Sequence, residues 1–115
     1  MAGYRRATNI VEIEEKKEGV SFDGLISPEV LVETSERSLA EAIEKAAVAV
    51  DQALLNEDFT TAMAHMSNLR EPVDLFFDNV TVNADQNDIR ENRLRLLSSF
   101  RSLLGRVASF GTIEG

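Results

Sequence analysis

The sequence contains no cysteine, no tryptophan, one histidine, one tyrosine and two prolines in 115 residues. Without cysteine there is no disulfide, no thiolate metal site and no sulfur nucleophile. The one histidine, His65, lies between Met63 and Met66 on a helical stripe. It has no second ligand at metal spacing and no partners for a hydrolytic triad. The di-metal signature of helical bundles needs Glu three residues before His, and that position is Ala62. No stretch approaches the roughly 20 apolar residues of a membrane span, and the opening residues do not lead into a signal-peptide core. A cytoplasmic location with no membrane partner is therefore the expectation. No phosphate-cradling or dinucleotide-binding glycine loop is present. Asp85-Gln-Asn-Asp88 lacks the glycine and terminal glutamate of a calcium loop. The pairs Glu14/Glu15, Glu41/Glu44 and Asp74/Asp78 read as solvated helix faces. The sequence thus predicts a non-catalytic chain that binds neither a metal nor a cofactor of its own.

What remains is helix-forming material. Glycine and proline are few, β-branched runs are short, and leucine and alanine are frequent. With 43% hydrophobic and 28% charged residues the composition is globular, and the length suits one domain over residues 1–115. Residues 2–17 read as a helix carrying Ile10 and Ile13 beside Tyr4, Arg6 and Ala7. It opens without a cap, as though cut from within a longer helix. Residues 18–27 read as a loop, followed by Ser27-Pro28 as the start of a short turn. Residues 35–55 form the clearest helix, with Ser38 and Glu41 at capping-box spacing. Its apolar face runs Leu39, Ala42, Ile43, Ala46, Ala47, Val50, Ala53 and Leu54. Asn56 or Asp58 caps a following helix with Phe59, Ala62, Met63, Met66 and Leu69 on one stripe. Pro72 forces a kink or restart. Residues 81–86 read as a turn, with Asp85 as a cap for a last long helix whose apolar stripe runs Ile89, the stem of Arg93, Leu96, Leu97, Phe100, Leu103, Leu104 and Val107. Gly105 inside it suggests a close helix contact, and Gly111 an end. The expected fold is all-α, a compact antiparallel bundle of four to five helices.

The net charge of −8 opposes a polyanionic partner on average. Its distribution does not. Residues 19–86 hold three basic and thirteen acidic side chains, residues 1–18 four of each, and residues 87–115 five arginines against three acids. Two segments concentrate Arg and Asn: Arg5, Arg6 and Asn9, with Arg5 and Asn9 one turn apart, and Arg90, Asn92, Arg93 and Arg95, followed by Arg101 and Arg106. Arginine forks onto phosphate and stacks on unpaired bases, and Asn reads base edges. Two readings fit: a reader of a single-stranded RNA loop, or arginines paired with the abundant acids in a protein-interaction bundle that touches no nucleic acid.

Three segments carry a resemblance. They are Arg5-Arg6-Ala-Thr-Asn9-Ile10, Leu69-Arg-Glu-Pro-Val-Asp-Leu-Phe-Phe-Asp-Asn-Val80, and Asn92-Arg-Leu-Arg-Leu-Leu97 with Leu104-Gly-Arg-Val-Ala108. In order and spacing the chain resembles the C-terminal region of bacterial glycyl-tRNA synthetase β subunits. The last segment is also similar to the Arg-Leu-x-Leu signature of DALR anticodon-binding domains. The resemblance implies a DALR-type helical bundle, a fragment of a longer β subunit, that binds glycine tRNA. It also implies an α subunit that carries the glycine and ATP chemistry, with that subunit and the remainder of β as protein partners. Carried over by position, Arg5, Arg6 and Asn9 match its basic N-terminal helix, and Asn92 and Arg93 its Asn-Arg-Leu motif. With Arg90 and Arg101 from the second basic segment, these are the expected tRNA contacts. Asp74, Phe76, Phe77 and Asp78 fall in the middle motif, as core and structural hydrogen bonding.

Overall fold

A computed structural model describes residues 2–82 and 84–114, with side chains described for residues 5–82 and 84–109. The described residues form five α-helices and no strand: α1 (Ala2–Glu18), α2 (Thr34–Leu55), α3 (Phe59–Ser67), α4 (Arg70–Asn79) and α5 (Asn87–Glu114), with a 3-10 turn at Pro28–Val30. The all-α bundle expected from periodicity is the fold observed.

Helix α5 is the organising element. At 28 residues and about 1.5 Å per residue it spans roughly 42 Å, the long dimension of a molecule measuring 43 × 29 × 24 Å. Leu94, Leu96, Leu97, Phe100, Leu103 and Val107 are buried along it, together with Asn92, Arg93 and Ser98. Burial on so much of its circumference marks a central helix. Helices α1, α2 and α3 all pack on α5, and α4 packs on both α1 and α2. Helices α4 and α5 therefore stand between α1 and the acidic α2.

The helix ends are set by local chemistry. Helix α2 begins one residue earlier than expected, and its cap is Glu33 with Glu36, not Ser38 with Glu41. The Glu33 amide donates to Glu36 Oε1 at 3.1 Å. At its other end Glu57 takes a φ of 57°. The amides of Glu57 and Asp58 bond back to the carbonyls of Leu54 and Ala53, a Schellman closure with Glu where Gly is usual. Asp58 then caps α3, accepting from the Thr61 amide at 3.1 Å. Gly19, with φ 66°, closes α1 by the same kind of turn. Gly105 departs from expectation: a side chain added there would meet nothing. Helix α5 also runs through Gly111 to Glu114.

The stretch between α1 and α2 is pinned although it is irregular. Phe22 is buried in the core, and its amide donates to Glu15 Oε2 at 3.0 Å. Asn92 clamps Ser27 twice: its Oδ1 accepts from the Ser27 amide at 2.8 Å and its Nδ2 donates to the Ser27 carbonyl at 3.2 Å.

Candidate nucleic-acid interface

Helix α1 contains four basic and four acidic side chains, and folding separates them. Ala7, Val11 and Glu14 are buried, which fixes the rotation of the helix. Glu14, Glu15 and Glu18 then face α5. Arg90 Nη2 lies 2.5 Å from Glu14 Oε1 and also pairs with Glu18. Arg101 grips Glu15 with both nitrogens, at 2.9 and 3.1 Å. Arg101 also lies 3.7 Å from Asp23. The Arg101 guanidinium, hydrogen-bonded to Glu15, holds that carboxyl below the usual carboxylate range. The hydrogen bond from Ser21 does the same for Asp23.

The outer face of α1 is left with Arg5, Arg6, Asn9, Glu12, Ile13, Lys16 and Lys17, all exposed. At 100° per residue these seven side chains fall within one sector of the helix surface. Four cations and one acid remain there from a helix neutral in composition. Among the described residues Arg5, Lys16 and Lys17 have no ion-pair partner. From Arg5 to Lys17 the stripe is about 18 Å long. Ile13, at 61% exposure, stands in its middle.

At the start of the stripe Arg6 lies over the Phe77 ring, its guanidinium carbon 4.4 Å from the ring centroid. Phe77 is held from α4, edge-on to the buried Phe76 at 5.5 Å between centroids. The Pro-Val-Asp-Leu-Phe-Phe motif thus sends one phenylalanine into the core and sets the other beneath Arg6. Asp74 and Asp78 are exposed, with Asp74 3.9 Å from Arg70. This fits the reading of the pair as a solvated helix face and corrects the one that made both structural hydrogen-bonding groups; Glu14 and Glu15, also read as a solvated face, are instead turned inward onto α5.

The residues singled out from the sequence divide into two sets. Arg5, Arg6 and Asn9 are exposed together on α1. Asn92 and Arg93 are buried, at 1% and 7% exposure, which corrects the expectation that they present themselves to RNA. Asn92 is spent on Ser27. Arg93 donates to the Thr81 carbonyl at 2.6 Å and to Glu36 at 2.9 Å, and Glu36 itself is fully buried. Arg90 and Arg101 are committed to the carboxylates of α1, and Arg106 to Asp51 at 3.0 Å. The reading that the arginines pair with acids therefore holds for α5 and not for α1. Lys16 and Lys17 were missed in the sequence. Their spacing of eleven and twelve residues from Arg5, three helical turns on, was the available signal. Among the described residues no cluster of His, Asp and Glu could hold a metal ion, and no helix is long and apolar enough to cross a membrane.

The chain is 51% identical over its whole length to a glycine–tRNA ligase beta subunit of Rhodospirillum centenum, covering 16% of that protein. It is 43% identical to one of Cereibacter sphaeroides and 44% identical to one of Phenylobacterium zucineum, again over the whole chain and 16% and 17% of those proteins. It thus spans about one sixth of the length of these relatives. No solved structure is a significant match. The family model described as the DALR anticodon binding domain matches residues 1–110, and the chain belongs to that family.

Proposed function

We propose that this chain is the tRNA-binding module of a glycine–tRNA ligase beta subunit, and that it meets the anticodon loop of glycine tRNA with the outer face of α1. The carrying observation is the sorting of charge on that helix. Glu14, Glu15 and Glu18 turn inward onto Arg90 and Arg101, leaving Arg5, Arg6, Lys16 and Lys17 outward with Asn9 and the single acid Glu12 among them. Phosphates supply the sequence-independent part of such affinity. Asn9 and the arginines supply hydrogen-bonding edges for unpaired bases. Arg90 and Arg101 act by holding α1 in this rotation, and Asn92 and Arg93 by anchoring α5 to the rest of the bundle.

On this reading the glycine and ATP chemistry belongs to an α subunit in the cytoplasm, and this chain contributes affinity and selection without a cofactor. Contacts with that subunit or the rest of the beta subunit suit a different surface. Val48 and Leu55 on α2 and Met63 on α3 are exposed apolar residues at 63%, 79% and 42%, on helices other than α1. The test is binding of the full-length subunit to a glycine tRNA transcript and to the same transcript with its anticodon replaced. Binding should weaken at least tenfold on replacement, and Arg5→Ala with Asn9→Ala should erase much of that difference. Equal binding to both transcripts would contradict anticodon reading.

A further inference from the structure

Arg6 and Phe77 are more than one cation among several and one core residue. We infer that together they form a stacking platform on which one unpaired base of the bound RNA loop is laid flat. This deepens the proposed function and rests on it.

Three observations carry the inference. First, the guanidinium lies over the ring at 4.4 Å, within the range of a favourable cation–π contact. That contact restrains a side chain that would otherwise roam in solvent. Phe77 lies on one side of the guanidinium, and Arg6 is exposed. Arginine planes and aromatic rings are the surfaces on which splayed-out RNA bases stack. Second, Phe77 is itself fixed, half-buried and braced edge-on by Phe76, which has no exposure at all. A platform on a packed helix needs little ordering when a base arrives. Third, its neighbours are of two kinds. Arg5 and Asn9 adjoin it on α1. Asp74 and Asp78 lie exposed on α4 beside Phe77 in the chain. Phosphates are drawn to the α1 side and repelled from the α4 side, so a nucleotide crossing the platform points its base, not its backbone, toward α4.

The pairing of Arg6 with Phe77 could also serve only to hold α1 against α4, and the experiment separates the two roles. Binding of the full-length protein is measured to a short RNA hairpin carrying the anticodon loop, and to versions with an abasic nucleotide at each loop position in turn. Arg6→Lys keeps the charge and removes the plane; Phe77→Leu keeps the apolar volume and removes the ring. Stacking on a side chain contributes about 1–3 kcal/mol per base, roughly fivefold to 150-fold in affinity. Each variant should weaken binding to the intact hairpin within that range. For one loop position the loss should vanish, because the abasic hairpin has no base to stack. Since Phe77 is half-buried, Arg6→Lys at an exposed position keeps the test decisive if Phe77→Leu unfolds. The platform is ruled out if Arg6→Lys binds every hairpin as the wild type does while Arg5→Ala still weakens binding. It is also ruled out if the loss is the same on all abasic hairpins. If the wild type binds no hairpin at any salt concentration, the proposed function fails, and the platform with it.

Discussion

At the scale of single residues, two backbone positions and one buried pair govern stability. Glu57 sits in the left-handed region, where a side chain costs about 1–2 kcal/mol and where helix ends usually place Gly. Glu57→Gly is expected to stabilise the chain by about 1 kcal/mol, seen as a Tm rise of roughly 4 °C; an unchanged or lower Tm would contradict the Schellman closure. Gly105 is the opposite case, a helical glycine with open space at its missing side chain. Gly105→Ala should stabilise by up to about 1 kcal/mol, whereas a close helix contact at that point would make it destabilising. Arg93 and Glu36 are buried together, and among the described residues Arg93 Nε and Glu36 Oε2 have no hydrogen-bond partner. The pair is therefore worth less than its distance suggests, yet removing one member strands a charge at about 3–5 kcal/mol. Arg93→Met should lower the urea midpoint accordingly while leaving the RNA affinity of the folded protein intact. A loss of affinity without a loss of stability would return Arg93 to the interface.

At the scale of elements, the seam between α1 and α5 joins the fold to the proposed RNA-binding face. It aligns Arg101 on Glu15 and Arg90 on Glu14 and Glu18. The Glu15 carboxyl titrates lower in the folded chain than its ordinary value, chiefly through the hydrogen bonds from Arg101. A depressed carboxylate contributes stability that is fully present above its unfolded pKa of about 4 and lost as pH falls through the folded value. Thermal melts should therefore fall on acidification below about pH 4, and Glu15→Gln should flatten that limb while lowering the Tm at neutral pH. Melts of Glu15→Gln that parallel the wild type across this range would contradict the seam's role. The elements were readable in the sequence to the extent that they were amphipathic. Helix α2 shows a single apolar face and was legible from Leu39 to Leu54. Helix α5 was placed, with the Arg93 stem on its apolar stripe, but Leu94, the inward turn of Asn92 and the burial of the Arg93 guanidinium were not foreseen. A central helix is buried on several sides, and its polar residues are internalised by partners remote in sequence, Ser27 and Glu36. Pairings across 57 to 86 residues leave no local pattern. The same limit hid the sorting of α1, since four bases and four acids in one helix do not reveal which set faces inward until the neighbour is known.

At the scale of the molecule, a chain of net charge −8 is proposed to bind a polyanion by keeping its charges apart. Exposed acids such as Glu41, Glu44 and Asp51 lie on α2, and α4 and α5 intervene between that helix and α1. The outer cations of α1 form the local exception, and salt is the direct probe of their use. Each phosphate neutralised adds about 0.7–0.9 to the slope of log affinity against log salt concentration. The measurement is that slope for glycine tRNA, in the wild type and in a variant with Arg5, Arg6, Lys16 and Lys17 all changed to Gln. The account predicts weaker binding and a slope shallower by about 2–3 in the variant, with unchanged helicity and a Tm lowered by no more than the loss of the Arg6–Phe77 contact, about 1 kcal/mol. Equal affinity and equal slope in the two proteins would show that the outer face of α1 is not where the RNA binds.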